Sequence, residues 1–118
     1  MGLDMYAYTV PAGQEIDRDN TTELAYWRKF NALHGWMEDL YREHGGEGSF
    51  NCIPLKLTDA DLDRLLADLK ANNLTPREGF FFGKQEVYEE DLRSVYTFVA
   101  SAKFELLMGR DVYYDSWW

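Results

Sequence analysis

The chain has 118 residues, with 21 acidic against 12 basic side chains and a net charge of −9; 46% of residues are hydrophobic and 16% aromatic. That length fits one domain, residues 1–118, with a core built on large rings, and the aromatic share excludes a disordered chain. The charge excludes ordinary binding to a phosphate backbone, so direct nucleic-acid contact is not expected; it serves solubility or docking on a basic partner.

Cys52 is the one cysteine, so no internal disulfide forms, which fits a reducing cytosol. The start, Met1-Gly2-Leu3-Asp4, has no basic n-region, and no apolar run reaches the length of a signal peptide or membrane span. A soluble cytoplasmic protein is therefore expected, with no membrane contact.

Leu3 to Val10 alternates as a strand, with Leu3, Met5 and Ala7 on one side and Asp4, Tyr6 and Tyr8 on the other. Apolar or aromatic groups on both sides predict a central strand covered on both faces. Pro11-Ala12-Gly13 stops it, and Glu15 to Asn20 is a polar loop. Asn20 followed by Glu23 resembles a capping box and predicts a long helix running to about His44, closed by Gly45-Gly46. Tyr26, Phe30, Leu33, Met37, Leu40 and Tyr41 would form its core stripe. Gly35 in its interior marks either a break into two helices or the close approach of another backbone.

Phe50 to Leu57 reads as an edge strand, because Pro54 has no ladder N–H. Cys52 within it reads as a small buried hydrophobe. Thr58 caps a second helix, with Asp59 and Asp61 in the first turn and Leu62, Leu65, Leu66 and Leu69 as its apolar stripe. A linker around Pro76 leads to Gly79-Phe80-Phe81-Phe82-Gly83, whose three rings cannot all face one side of a strand. A third helix starts near Glu89 and ends at Gly109. Arg110 to Trp118 is a final strand. The expected fold is α+β: a two-layer α/β sandwich in which a small sheet, with the first and last strands central, is packed by about three helices.

On the expected long helix, Trp27, Asn31, His34 and Glu38 fall on one line beside the core stripe, with Arg28 adjacent. An amide, an imidazole and an indole on a half-buried line suit a pocket rim. The same residues equally suit satisfied backbone groups and a sealed core edge. With the Asn51-Cys52 and Asp115-Ser116-Trp117 segments they define the candidate ligand-binding set: Trp27, Arg28, Asn31, His34, Asn51, Cys52, Asp115 and Trp117. Such an aromatic, polar pocket suits a nucleotide-like or planar molecule. Trp36 falls away from the stripe and is the candidate partner-binding anchor, unless another segment covers it.

Chemistry-bearing motifs are sparse. No His-x₃-His or Cys-x₂-Cys spacing is present, so no metal is expected. No Gly-x-Ser-x-Gly elbow or phosphate loop occurs, and no cofactor is implied. If the first and last strands are neighbours, Asp4 and Asp115 share a sheet face with Tyr6 and Tyr113. That pair suits acid–base work, or else simple strand-end capping and pairing with Arg28 or Arg110.

Several segments together carry a resemblance: Met1-Gly2-Leu3-Asp4-Met5-Tyr6, Glu23-Leu24-Ala25-Tyr26-Trp27-Arg28-Lys29 with Asn31 and His34-Gly35-Trp36, Phe50-Asn51-Cys52, Gly79 to Gly83, and Tyr113-Tyr114-Asp115-Ser116-Trp117-Trp118. Over its whole length the chain resembles small uncharacterised proteins of phages, prophages and bacteria. The resemblance implies a phage accessory protein in the host cytoplasm, and it carries over no catalytic residue. Many such proteins bind a host factor or a small host molecule. The leading expectation is a non-catalytic protein that binds a host protein through an acidic and aromatic surface. The alternative is a small-ligand binding protein or small enzyme with its pocket beside the long helix.

Overall fold

A computed structural model describes residues 2–74 and 87–118. The Pro76 linker and the Gly79–Gly83 segment lie outside the described residues. The elements are β1 (Asp4–Pro11), β2 (Thr22–Arg28), α1 (Asn31–Glu43), β3 (Leu55–Leu57), α2 (Asp59–Lys70), α3 (Glu89–Leu107) and β4 (Arg110–Trp117). The four strands form one antiparallel sheet in the order β2-β1-β4-β3. The first and last strands are therefore central, and the fold is the expected α+β two-layer arrangement with three helices. No helix among the described residues is long and apolar enough to cross a membrane.

The strand period of two sorts the sheet into two faces. Met5 and Ala7 of β1, Trp27 of β2, Leu55 and Leu57 of β3, and Val112, Tyr114 and Ser116 of β4 are buried. All but Ser116 belong to one hydrophobic cluster with Leu33, Met37 and Leu40 of α1, Leu62, Leu65 and Leu69 of α2, and Val95, Phe98, Val99 and Ala102 of α3. The helices thus cover one face. The alternate residues, Asp4, Tyr6 and Tyr8 of β1 and Tyr113, Asp115 and Trp117 of β4, are half-buried or exposed. The expectation that β1 is covered on both faces is corrected: no helix among the described residues packs on the second face.

The predicted long helix is also corrected. Residues 22–28 are a strand, and the helix begins only at Asn31. Thr22, Tyr26 and Trp27 are good strand formers, and pairing with β1 satisfies their backbone (Met5 opposite Trp27, Tyr6 opposite Tyr26). Asn20 caps no helix. Its carboxamide closes the preceding loop, accepting from Asp17 N–H at 2.9 Å and donating to Glu15 C=O at 2.8 Å. Lys29, in the left-handed region at φ 55°, turns the chain from strand to helix. Tyr26 is therefore no core residue; it lies on the uncovered face, 49% exposed. α1 runs unbroken through a buried Gly35.

The strand expected over Phe50–Leu57 shortens to three residues, at the sheet edge as Pro54 implied. Asn51 and Cys52 lie in a bend, with Cys52 at φ 60° and exposed rather than buried. The Thr58 cap is present as a reciprocal capping box: Thr58 Oγ1 accepts from Asp61 N–H at 3.1 Å, and Asp61 Oδ2 from Thr58 N–H at 2.9 Å.

Candidate functional site

The sheet divides the residues singled out in the sequence into two groups. Trp27, Asn31 and His34 face the core and are nearly inaccessible. Arg28, Asp115 and Trp117 lie on the uncovered face, because neighbours along a strand point oppositely. The line of Trp27, Asn31, His34 and Glu38 required one continuous helix, so it does not form.

The core group is tightly engaged. Trp27 Nε1–H donates to Ser94 Oγ at 2.9 Å, and its ring meets Phe98 edge-on at 5.3 Å. His34 sits among three rings: Phe50 stacked at 5.4 Å, Trp118 edge-on at 5.2 Å and Tyr114 tilted at 6.0 Å. Its Nδ1 shares a 2.7 Å hydrogen bond with the Tyr114 hydroxyl. Burial pushes the His34 pKa down to about 4 and the Tyr114 phenol well up, so both are neutral near pH 7.

The Asn51-Cys52 bend does meet the end of β4 beside this cluster. The Asn51 carboxamide brackets Trp118, accepting from its N–H at 3.2 Å and donating to its C=O at 3.4 Å. Cys52 N–H donates to Ser116 C=O at 2.8 Å. Side-chain and main-chain bonds thus prolong the β4 edge, and aromatic rings pack around the imidazole.

Trp36 does not stand free on the surface. It is half-buried between α1 and α2, and its Nε1–H donates to Asp68 Oδ2 at 2.7 Å. Beside it lies a polar depression of about 320 Å³ lined by Asp39, Glu43, Arg64 and Asn73 among others.

The uncovered face is the more distinctive surface. Three rows cross it: Arg28, Asp4 and Trp117; Tyr26, Tyr6 and Asp115; Glu23, Tyr8 and Tyr113. Lys56 stands opposite Tyr113 on β3, and Asp111 lies two residues beyond it on β4. Tyr6 packs on Tyr26 at 5.2 Å, and Tyr8 stacks on Tyr113 at 5.8 Å. Arg28 and Lys56, the basic groups of this face among the described residues, are already paired, Arg28 with Asp4 at 3.7 Å and Lys56 with Asp111 at 3.4 Å. Among the described residues, Glu23 and Asp115 have no ion-pair partner.

Hydrogen bonds order this surface. Tyr26 O–H donates to Asp4 Oδ1 at 2.7 Å, and Tyr8 O–H to Asp115 Oδ2 at 3.4 Å. Ser116 N–H donates to Asp115 Oδ1 at 2.8 Å. Burial, then the neighbouring Asp115 charge, pushes the Tyr8 phenol far above its ordinary range; burial also raises the Asp115 carboxyl. Two depressions open here. One, of about 210 Å³, is lined by Tyr6, Tyr8, Thr21, Glu23 and Asp115. The other, of about 230 Å³, is lined by Gly2, Asp4, Trp117 and Trp118. None of Trp27, Asn31 and His34 lines either one.

Tyr26, Thr21 and Glu23 are the members of this surface that sequence reasoning missed, because it placed residues 20–44 in one helix. The alternation of Asp4, Tyr6 and Tyr8, and of Tyr113, Asp115 and Trp117, was the available signal for the rest. No family model, curated protein or solved structure matches this chain.

Proposed function

We propose that the protein is a non-catalytic binding module that holds a basic segment of a partner protein against the uncovered face of its sheet. The observation that carries this reading is the make-up of that face. Tyr6, Tyr8, Tyr26, Tyr113 and Trp117 offer rings, and Asp4, Glu23, Asp111 and Asp115 offer carboxylates around them. Aromatic faces attract cations, and carboxylates add charge complementarity that steers a basic partner and repels a phosphate backbone. A net charge of −9 extends that attraction beyond contact distance. In the phage context that the resemblance implies, the partner is a host protein met in the host cytoplasm.

A pocket for a planar small molecule beside His34 is the weaker reading. Phe50, Tyr114 and Trp118 crowd the imidazole, and neither depression on the uncovered face reaches it.

An array of peptides tiling a bacterial proteome, probed with the purified protein, tests the proposal. Wild type is expected to select Arg- and Lys-rich peptides, and Tyr26→Ala/Trp117→Ala to lose most of that signal. Leu107→Ser, at a position 83% exposed on α3, should retain it. Selection of peptides with no basic bias, or equal selection by the face variant, would sink the idea.

A further inference from the structure

The depression between Tyr6, Tyr8, Thr21, Glu23 and Asp115 is set up by a local irregularity. Strand β2 is bulged opposite the Ala7–Tyr8 step: Ala25 pairs with Ala7, but Glu23, not Leu24, pairs with Tyr8. Strict alternation from Tyr26 would have put Leu24 on the uncovered face. The extra residue instead turns Leu24 against the core, where it packs, and aims Glu23 across Tyr8. Bulges commonly re-aim a side chain in this way beside functional sites.

The groups so gathered are unequally engaged. Glu23 makes no hydrogen bond or ion pair with any described residue, and neither does the Tyr6 hydroxyl. Asp115 is held in place by the Tyr8 hydroxyl and the Ser116 N–H, which both donate to it. The two carboxylates stand on strands either side of β1 and one row apart, Glu23 opposite Tyr8 and Asp115 opposite Tyr6. Two strand spacings of about 4.8 Å and a two-residue rise of about 6.8 Å put them about 12 Å apart at the backbone. Two tyrosine rings form the floor between them.

We propose that this depression receives one arginine side chain of the partner protein, its guanidinium lying over the tyrosine floor between Glu23 and Asp115. The inference rests on the reading of the uncovered face as the binding surface, and narrows it to one side chain and one place. A guanidinium is planar, stacks on aromatic faces and carries a fork of five N–H donors, so it serves carboxylates on two sides at once. An ammonium is a compact point charge that prefers full hydration and meets one of them. A volume of about 210 Å³ suits a single long side chain, not a folded element. The desolvation that raises the Asp115 carboxyl also means that an arriving cation is attracted in a medium less polar than water.

The test is an amide-resolved NMR titration of the intact chain with N-acetyl-arginine methylamide. Matched lysine and citrulline derivatives are run in parallel. Shifts are expected around Tyr6, Tyr8, Glu23 and Asp115, with arginine binding several-fold tighter than lysine and citrulline leaving the spectrum unchanged. Asp115→Asn, which still accepts from Tyr8 and Ser116, and Glu23→Gln should each weaken arginine binding at least tenfold while the remaining spectrum stays native. Citrulline shifts equal to those of arginine, or wild-type affinity in both variants, would overturn the proposal. So would shifts centred on Asp4 and Trp117, or no arginine shift at all. If basic peptides are still selected by the face in those last two cases, only the arginine assignment falls; if they are not, the binding reading falls with it.

Discussion

Phe50→Ala is expected to lower unfolding free energy by about 3–5 kcal/mol, the range for deleting a fully buried phenylalanine ring. Phe50 is 1% exposed yet belongs to no helix or strand. Its ring stacks on Tyr41 at 4.6 Å and His34 at 5.4 Å, and lies 6.0 Å from Tyr114. Its ring therefore joins α1 to β4, beside a Ser116 Oγ–H hydrogen bond to the Phe50 C=O at 3.5 Å, so removal of the ring leaves a cavity that no single element can close. For a domain whose total stability is about 5–15 kcal/mol, that loss is a large share. Urea denaturation followed by tryptophan fluorescence measures it as a lower midpoint with unchanged slope. Leu107→Ala, at an exposed site, should change stability by no more than about 0.5 kcal/mol. A loss below about 1 kcal/mol for Phe50→Ala would contradict the packing described.

Acid is expected to weaken the fold well above the carboxylate range, through His34. Burial holds its folded pKa at about 4, against about 6.5 in the unfolded chain. Between these values the unfolded state binds the extra proton, so stability rises with pH there. The His34 contribution is thus fully present above about pH 6.5 and is lost as pH falls toward 4. The loss is about 2 kcal/mol by pH 5 and about 3 kcal/mol in all. Asp115 acts in the opposite sense, because its carboxyl is raised in the folded state and protonation relieves it. Comparison with His34→Asn removes that shared contribution. A carboxamide in place of the imidazole does not titrate, so the variant should start less stable at pH 7 but lose about 2 kcal/mol less than wild type on going to pH 5. Parallel pH profiles for the two proteins would show that the imidazole is not desolvated.

The architecture was legible where one pattern had one reading. The alternation of Leu3, Met5 and Ala7 against Asp4, Tyr6 and Tyr8, and its counterpart in β4, predicted two strands, and their apolar sides predicted the shared core. Thr58 with Asp61 marked the start of α2, where the capping box is seen. Residues 20–30 misled because Asn20 and Glu23 have cap spacing and the following residues tolerate either conformation. Long-range pairing of β2 with β1 then outweighed local preference. The turn at Lys29 carries no glycine to announce it.

That single misreading hid the β2 side of the candidate site. Once residues 22–28 are a strand, Trp27 turns inward, while Tyr26 and Arg28 join Tyr6, Asp4 and Trp117 on the uncovered face. The bulge that brings Glu23 to the same side leaves no trace in sequence, since it depends on which residue of β2 pairs with Tyr8.

The central claim is that the uncovered sheet face is the working surface. Mapping a nine-residue Arg/Gly peptide onto the isotope-labelled protein by NMR, at low and physiological salt, tests it most directly. The account predicts perturbations on Tyr6, Tyr8, Tyr26, Tyr113 and Trp117, with affinity falling as salt rises and an acidic peptide of equal length giving none. Perturbations centred instead on Trp36 and the α1–α2 depression, on the exposed end of α3, or nowhere, would contradict it.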